Sequence, residues 1–278
     1  MTIMYKNQIA ALTLYFILAP ALAHDFWIEP DEFTPVAEQV VAVSLREGVG
    51  FKGNTLPYIK TWFADFSITD STGRHNVESI QGNDPAAEIV AASGAQLLGY
   101  QSQPSFVELE AAKFNKYLET EGIEFIREER ESRGESQSPA PEYFVRCAKA
   151  LLQTGPVNDD VYKSKLGYKL ELIPQSNPYA LNENNELVFQ LIYDDAPIKN
   201  RLVQAFNKSD PEVIQKVRTD ANGMATVKID RTGIWLVKAV QIIPIKGRPQ
   251  TVAGLRPAKW QSYWASYLFE MRTVDQSR

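Results

Sequence analysis

The sequence is short of cysteine and of long apolar runs. Cys147 is the single cysteine among 278 residues, so no disulfide forms within the chain and its core must stabilise it. It lies close to Phe144, Val145 and Leu151, a context that predicts a buried, unreactive thiol. The apolar run of residues 9–18, at about ten residues, is too short to cross a bilayer, and no apolar run after residue 23 is long enough either. We therefore predict a mature protein that does not span a membrane.

Signatures of catalysis and of nucleic-acid binding are also missing. No glycine-rich loop for phosphates and no His-Glu-x-x-His segment is present, and neither histidine stands in the context of a Ser-His-Asp triad. Without residues 1–23, 28 basic and 34 acidic residues give a net charge of −6. Nucleic acid needs a positive surface, and no basic stripe supplies one. We predict a protein that is not an enzyme and has no nucleic-acid partner.

Residues 1–23 have the three parts of a secretory signal. Lys6 gives the basic start, residues 9–18 form the apolar segment, and Ala21-Leu22-Ala23 is typical of a cleavage site. Cleavage after Ala23 makes His24 the first residue of the mature chain. We therefore expect a soluble exported protein, most simply in a bacterial periplasm. An N-terminal histidine offers a metal both its α-amine and its imidazole.

The candidate metal ligands are His24, His75, Asp25 and Glu29. His24 and His75 are the two histidines of the sequence. Imidazole and amine nitrogens suit nickel, cobalt, copper and zinc, and copper binds them most strongly among the divalent ions. If the fold brings both imidazoles together, one metal can take three nitrogens, and the two carboxylates can complete the site. The alternative is that His75 is an exposed residue of a polar turn and that Asp25 is merely solvated.

Segments of alternating and β-branched residues predict a mainly β fold. We expect two antiparallel β-sandwich modules of the immunoglobulin-like type, over residues 24–105 and 166–272. Residues 39–46 alternate between apolar and polar side chains, as a half-buried strand does. Residues 233–243 form the longest apolar strand candidate, which we place in the centre of a sheet. Asn222-Gly223 predicts a tight hairpin turn.

The middle of the chain has a different pattern. Residues 109–118 place their apolar side chains on one helical face, and residues 123–133 form a second, highly charged helical segment. We therefore expect a helical and loop excursion and connection over residues 106–160. The pattern of residues 142–153 fits a helix or a strand.

Seven segments carry a resemblance to a known family: AHDFWIEP (23–30), FVELEAAKFNKYLETEG (106–122), YFVRCAKALL (143–152), NPYAL (177–181), TDANGMATVKID (219–230), GIWLVKAV (233–240) and WASYLFE (264–270). In this order they resemble the NikM-like domain-of-unknown-function family of exported bacterial proteins, which are labelled periplasmic components of nickel or cobalt uptake. The resemblance covers nearly the whole mature chain. It implies a metal ion as cargo and a membrane metal transporter as partner. Relatives often have a histidine where this sequence has Gln241.

The leading hypothesis is a non-enzymatic periplasmic protein that binds nickel, cobalt or copper and supports metal uptake. One alternative is a copper enzyme in which His24 and His75 form an N-terminal histidine brace. A second is an adhesion or scaffold protein without metal, since β-sandwiches host many unrelated functions. The distance between the two imidazoles tests a site that both share. Donor atoms of one metal lie only some 3–4 Å apart, so imidazoles more than about 8 Å apart exclude a shared mononuclear site.

Overall fold

The structure is a computed structural model, and it describes residues 24–156, 158–181, 185–245 and 256–272. The expected signal peptide lies outside these residues. Eight strands precede the helices in the described chain: β1 (Asp25–Pro30), β2 (Val40–Val49), β3 (Lys52–Leu56), β4 (Phe63–Asp70), β5 (Gly73–Asn76), β6 (Ala87–Val90), β7 (Gly94–Ser102) and β8 (Ser105–Leu109).

Two helices and nine further strands follow within the described ranges. The helices are α1 (Ala111–Thr120) and α2 (Glu124–Ser132). The strands are β9 (Ala140–Thr154), β10 (Leu170–Pro174), β11 (Glu186–Tyr193), β12 (Ala196–Pro197), β13 (Leu202–Asn207), β14 (Asp210–Arg218), β15 (Met224–Lys228), β16 (Gly233–Pro244) and β17 (Trp260–Met271).

The described strands form three sheets. The middle sheet has the order β14-β13-β16-β17-β9-β7-β4-β5, with β8 also paired to β9. The N-terminal outer sheet contains β1, β2, β3 and β6, and the C-terminal outer sheet contains β10, β11, β12 and β15. Strands β17 and β9 pair in parallel, whereas the ladders on either side of them, β16–β17 and β7–β9, are antiparallel.

The middle sheet is covered on both faces. Successive side chains of a strand point to opposite faces, and here they enter different cores. Leu97 and Tyr267 pack in the core shared with the C-terminal outer sheet. Their neighbours Leu98 and Leu268 pack in the core shared with the N-terminal outer sheet. This double burial explains the long apolar run of β16, which lies between β13 and β17 as expected for a central strand.

The predicted mainly β fold, with antiparallel sandwiches and a helical excursion, is confirmed. The two sandwiches share the middle sheet, because the ladder from Glu142↔Trp260 to Ala150↔Leu268 joins strands from the two halves of the chain. The division into residues 24–105, 106–160 and 166–272 stays a prediction.

Two local expectations are corrected. The ambiguous residues 142–153 belong to β9, although we placed them in the helical and loop excursion. The second half of β9 is buried on both faces, so it lacks the alternation that marks a strand. The turn at Asn222-Gly223 does form, with Gly223 at φ 74°. It connects β14 of the middle sheet to β15 of an outer sheet, so it is not a hairpin turn.

Helices α1 and α2 cover part of the same face as the N-terminal outer sheet. Phe114 and Ile126 pack with Val240 and Trp260 in a third core. Val240 shares its face of β16 with Leu236, which packs under the N-terminal outer sheet. The helices and that outer sheet therefore lie side by side on the middle sheet, and charged residues occupy the seam between them.

Candidate functional site

His24 lies directly before β1 and contacts a pair of opposite charges. Its Nδ1 is 3.3 Å from Oε1 of Glu47, and the same oxygen is 2.8 Å from Nη2 of Arg146. The β1–β2 ladder causes this meeting, because Asp25 pairs with Gly48 and so brings the residue before β1 to the end of β2. Arg146 reaches the pair from β9 of the middle sheet.

Glu47 and Arg146 also line an open cavity, which we call the N-terminal pocket. It has a volume of about 410 Å³ and is lined by Glu47, Leu56, Thr61, Trp62, Tyr100, Ser102, Gln103, Pro104, Ser105 and Arg146. A pocket of this size accommodates a small molecule. Its walls are formed by the ends of β3, β7 and β8 and the loops next to them. His24 does not line the pocket, but it contacts Glu47, which does.

His75 lies far from His24. It is on β5 and lines a different cavity together with Ile89 and Val90 of β6, which pair with the first residues of β2. His24 is instead at the last residues of β2. The stretch of β2 from Val41 to Gly48 spans about 23 Å at a strand's rise per residue. The two imidazoles therefore do not meet, and His75 bonds to Thr72 on the protein surface.

Asp25 is a buried member of an ion-pair cluster in the seam between the helices and the N-terminal outer sheet. Nζ of Lys238 is 2.7 Å from Asp25 and 2.9 Å from Glu121, which follows α1. Burial disfavours the ammonium, but the two carboxylates outweigh it and raise the pKa of Lys238. Gln204 donates a hydrogen bond of 2.8 Å to the second oxygen of Glu121. Asp25 thus anchors β1 and is already neutralised by a lysine.

Glu29 is also occupied by cations. Arg46 lies 3.0 Å from one carboxylate oxygen, Lys208 pairs with the other, and Trp27 donates a hydrogen bond of 2.8 Å. The four predicted ligands therefore do not converge. Within the described ranges, no three side chains of His, Cys, Asp or Glu are grouped so that they could hold a metal.

The residues that sequence reasoning missed are Glu47 and Arg146. Each is a charged residue on a strand. Arg146 lies within the segment YFVRCAKALL that carries the family resemblance, but nothing in the sequence pairs it with Glu47 or His24. Only the β1–β2 ladder and the position of β9 bring them together. The prediction for Cys147 is confirmed, since the thiol is buried and this burial raises its pKa to about 12.

A second missed group lies beneath the helices. Glu142 of β9 is 2% exposed and accepts a hydrogen bond from the Ser262 hydroxyl. Burial raises the pKa of Glu142 to about 7, although Ser262 and Tyr117 favour its charged form. Tyr117 stacks on Trp264 with ring centroids 5.2 Å apart. Glu142 is thus a buried acid within an aromatic cluster.

A third missed group lies on the opposite face of the middle sheet. Lys149 of β9 is 2.6 Å from Glu171, and both side chains are almost fully buried. Glu171 also accepts three backbone N–H groups, from Leu166, Gly167 and Tyr168 at 2.8–2.9 Å. This pair fixes the segment that leads into β10 and serves the fold.

These features define the class: a mainly β protein of three stacked sheets, with a pocket of small-molecule size beside its N-terminal strand. No helix in the described part of the chain is long and apolar enough to cross a membrane. The chain belongs to the family described as a domain of unknown function (DUF4198), whose model matches residues 21–242. No curated protein matches the sequence.

Two solved structures are similar at low scores. The tetra-tandem repeat in the extending region of a large adhesion protein is 12% identical with a TM-score of 0.22; the match covers 90% of this chain and 50% of that one. The chain thus spans half the length of that structure. The D0-D1 domain of intimin is 14% identical with a TM-score of 0.20, and the match covers 90% and 98% of the two chains. Neither likeness supports an inference about function. None of these matches is described as an enzyme.

Proposed function

We propose that this protein is a non-enzymatic, exported binding protein for a transition-metal ion such as nickel, cobalt or copper, with His24 as the mature N-terminus. The observation that supports this proposal is the 3.3 Å separation of His24 Nδ1 and Glu47 Oε1. Two ligand atoms that share a metal at bonds of about 2 Å lie some 3–4 Å apart. The pair is therefore spaced as two donors of one site are.

The proposed donor set is the α-amine of His24, its Nδ1 and the carboxylate of Glu47. An amine and Nδ1 of the same residue close a six-membered chelate ring on a metal. In this set Glu47 takes the place of the earlier candidates His75, Asp25 and Glu29. The α-amine becomes available as a donor only after cleavage behind Ala23. Nitrogen and oxygen donors of this kind suit nickel, cobalt and copper.

Arg146 is the competitor at this site. Its guanidinium lies 2.8 Å from the same oxygen of Glu47, and a metal ion and a guanidinium repel each other. Metal binding therefore displaces Arg146 or uses the other oxygen of Glu47. The sequence resemblance supports a membrane metal transporter as the recipient of the ion. A copper enzyme braced by two histidines is not favoured, because His75 lies near the opposite end of β2.

The test is calorimetric titration of the processed protein with nickel, cobalt and copper ions. We expect saturable binding that weakens as the pH is lowered, because the amine and the imidazole must lose protons to bind. His24→Ala and Glu47→Gln should each weaken binding at least tenfold. His75→Ala is the matched control and should bind as the parent does.

An extra glycine before His24 gives the sharpest comparison, because it converts the α-amine into an amide. We expect the extended protein to have the same melting temperature without metal. It should lose the metal-induced stabilisation, which at a hundredfold excess over the dissociation constant is about 2.7 kcal/mol. Equal stabilisation of both forms, or no saturable binding in the micromolar range, would reject the proposal and favour an adhesion or scaffold role.

A further inference from the structure

The N-terminal pocket is lined by one positive side chain, Arg146, and one negative side chain, Glu47, and both can form further hydrogen bonds or ion pairs. Glu47 makes both of its polar side-chain contacts, to His24 and to Arg146, through Oε1. Among the described residues no partner contacts its Oε2, and Glu47 is the sole ion-pair partner of the Arg146 guanidinium. The side chain of Glu47 is 26% exposed and that of Arg146 is 17% exposed, so a ligand in the pocket can reach both.

Arg146 is held ready for a ligand. Its guanidinium lies over the rings of Phe26 and Phe144, at 5.2 and 5.0 Å from their centroids. Its backbone N–H donates to the Ser102 hydroxyl at 3.0 Å. A guanidinium held against two aromatic rings loses little side-chain entropy when it binds, and its planar fork of donors matches a carboxylate.

The remaining walls of the pocket are neutral. Burial raises the pKa of Tyr100 to about 12, so its hydroxyl stays uncharged at neutral pH. Leu56 and Pro104 give the walls an apolar part. Trp62 is 49% exposed, and its carbonyl accepts a hydrogen bond of 2.8 Å from the Gln103 backbone. The pocket thus offers one cation, one anion and an aromatic surface, with no net charge.

We propose that the N-terminal pocket binds a small zwitterion with an apolar body, of the class of the α-amino acids. The ligand carboxylate pairs with the Arg146 guanidinium, and its ammonium group pairs with Oε2 of Glu47. The apolar body packs against Trp62. The volume of about 410 Å³ suits a molecule of this size. A simple anion or cation fits less well, because each meets one like charge.

This inference goes beyond metal binding and does not depend on it. The zwitterion needs neither the α-amine nor the imidazole of His24. It shares Glu47 with the proposed metal site, so we expect the metal and the zwitterion to weaken each other's binding.

The experiment is calorimetric titration of the metal-free processed protein with L-phenylalanine and L-leucine. The comparison compounds are 3-phenylpropionate, which lacks the ammonium group, and 2-phenylethylamine, which lacks the carboxylate. We expect saturable binding of an amino acid and at least tenfold weaker binding of each comparison compound. Arg146→Gln and Glu47→Gln should each weaken amino-acid binding at least tenfold, and Trp62→Ala should weaken it as well.

Matched controls are Arg127→Gln and Glu131→Gln, which change an exposed ion pair on α2 that does not line the pocket and should leave binding unchanged. No saturable binding of either amino acid, or equal binding of L-phenylalanine and 3-phenylpropionate, would overturn the inference. The comparison compounds test the parent protein, so the result stands even where a variant fails to fold. A glycine before His24 should abolish metal binding and leave amino-acid binding intact, so each proposal can fail alone.

Discussion

Two buried carboxylates, Glu171 of β10 and Glu142 of β9, differ in what surrounds them. Glu171 pairs with Lys149 of β9 and accepts three backbone N–H groups. Glu142 of β9 lies under the helices, where Ser262 donates to one oxygen and the other has no partner among the described residues. One carboxylate is fully neutralised, whereas the other lies where burial favours its protonated form.

The difference teaches that burial alone does not decide the charge of an acid. A buried carboxylate stays ionised where a cation and several donors replace its hydration. Without a cation it is more stable when protonated. We therefore expect the core beneath the C-terminal outer sheet to lose much of its stability when Glu171 loses its partner Lys149. The core beneath the helices is expected to respond to pH.

The largest effect is expected for Lys149→Met. This change leaves the charge of Glu171 buried without its cation, which costs about 3–5 kcal/mol of unfolding free energy. Urea unfolding at neutral pH measures the loss. The double variant with Glu171→Gln should recover part of it, because the orphaned charge is gone. A loss below about 1 kcal/mol for the single variant would show that the pair is not needed to balance the buried charge.

The next effect is a pH dependence that arises at Glu142. Its pKa is about 7 in the folded protein, against an ordinary value of 4.5, so the folded state keeps a proton that the unfolded chain releases. This contribution to stability is fully present below about pH 4.5. It is lost as the pH rises to about 7, by roughly 3 kcal/mol.

Glu142→Gln supplies the comparison for this effect, because the amide cannot titrate. The unfolding free energy of the parent minus that of the variant, measured by urea unfolding from pH 4 to pH 8, should fall across this range. Other titrating groups cancel in the difference. If this difference did not change with pH, Glu142 would have its ordinary pKa in the folded protein, and the expected pH response of the core beneath the helices would be wrong.

A smaller effect is expected for Ser262→Ala. The hydroxyl of Ser262 donates to Glu142 and favours its charged form. Its loss should raise the midpoint of the pH dependence by about one pH unit, as removal of one hydrogen bond to a charged group does. Ser266→Ala is the control, because Ser266 on the same strand bonds to the Phe26 carbonyl. It should reduce stability without moving the midpoint, and an equal movement in both variants would contradict the assignment.

The smallest effect is expected at the surface. Lys60 lies 3.2 Å from Glu78, and both side chains are more than 60% exposed. Water solvates these charges, so Lys60→Met should change the unfolding free energy by less than about 1 kcal/mol. The change should shrink further in high salt. If Lys60→Met reduced the unfolding free energy as much as Lys149→Met does, burial would not explain why the two ion pairs differ in their effect on stability.

The candidate site could be predicted from the sequence only in part. The cleavage pattern singled out His24, and the structure places it beside Glu47 and the N-terminal pocket. The partner residues could not be predicted, because Glu47 and Arg146 are ordinary charged residues more than twenty positions from His24. Asp25 and Glu29 are close to His24 in sequence, but in the fold their carboxylates pair with Lys238 and Lys208, which lie far along the chain.

The sequence by itself determined the mainly β class, the helical excursion and the inert thiol of Cys147, because these follow from local periodicity and apolar context. The tertiary structure alone decided that the two sandwiches share one sheet, since the parallel pairing of β9 with β17 joins segments about 120 residues apart. It also decided which charges are neutralised. Alternation along one strand sends Arg146 to the pocket and Lys149 to the opposite core, and only the layers packed on each face determine what each of them meets.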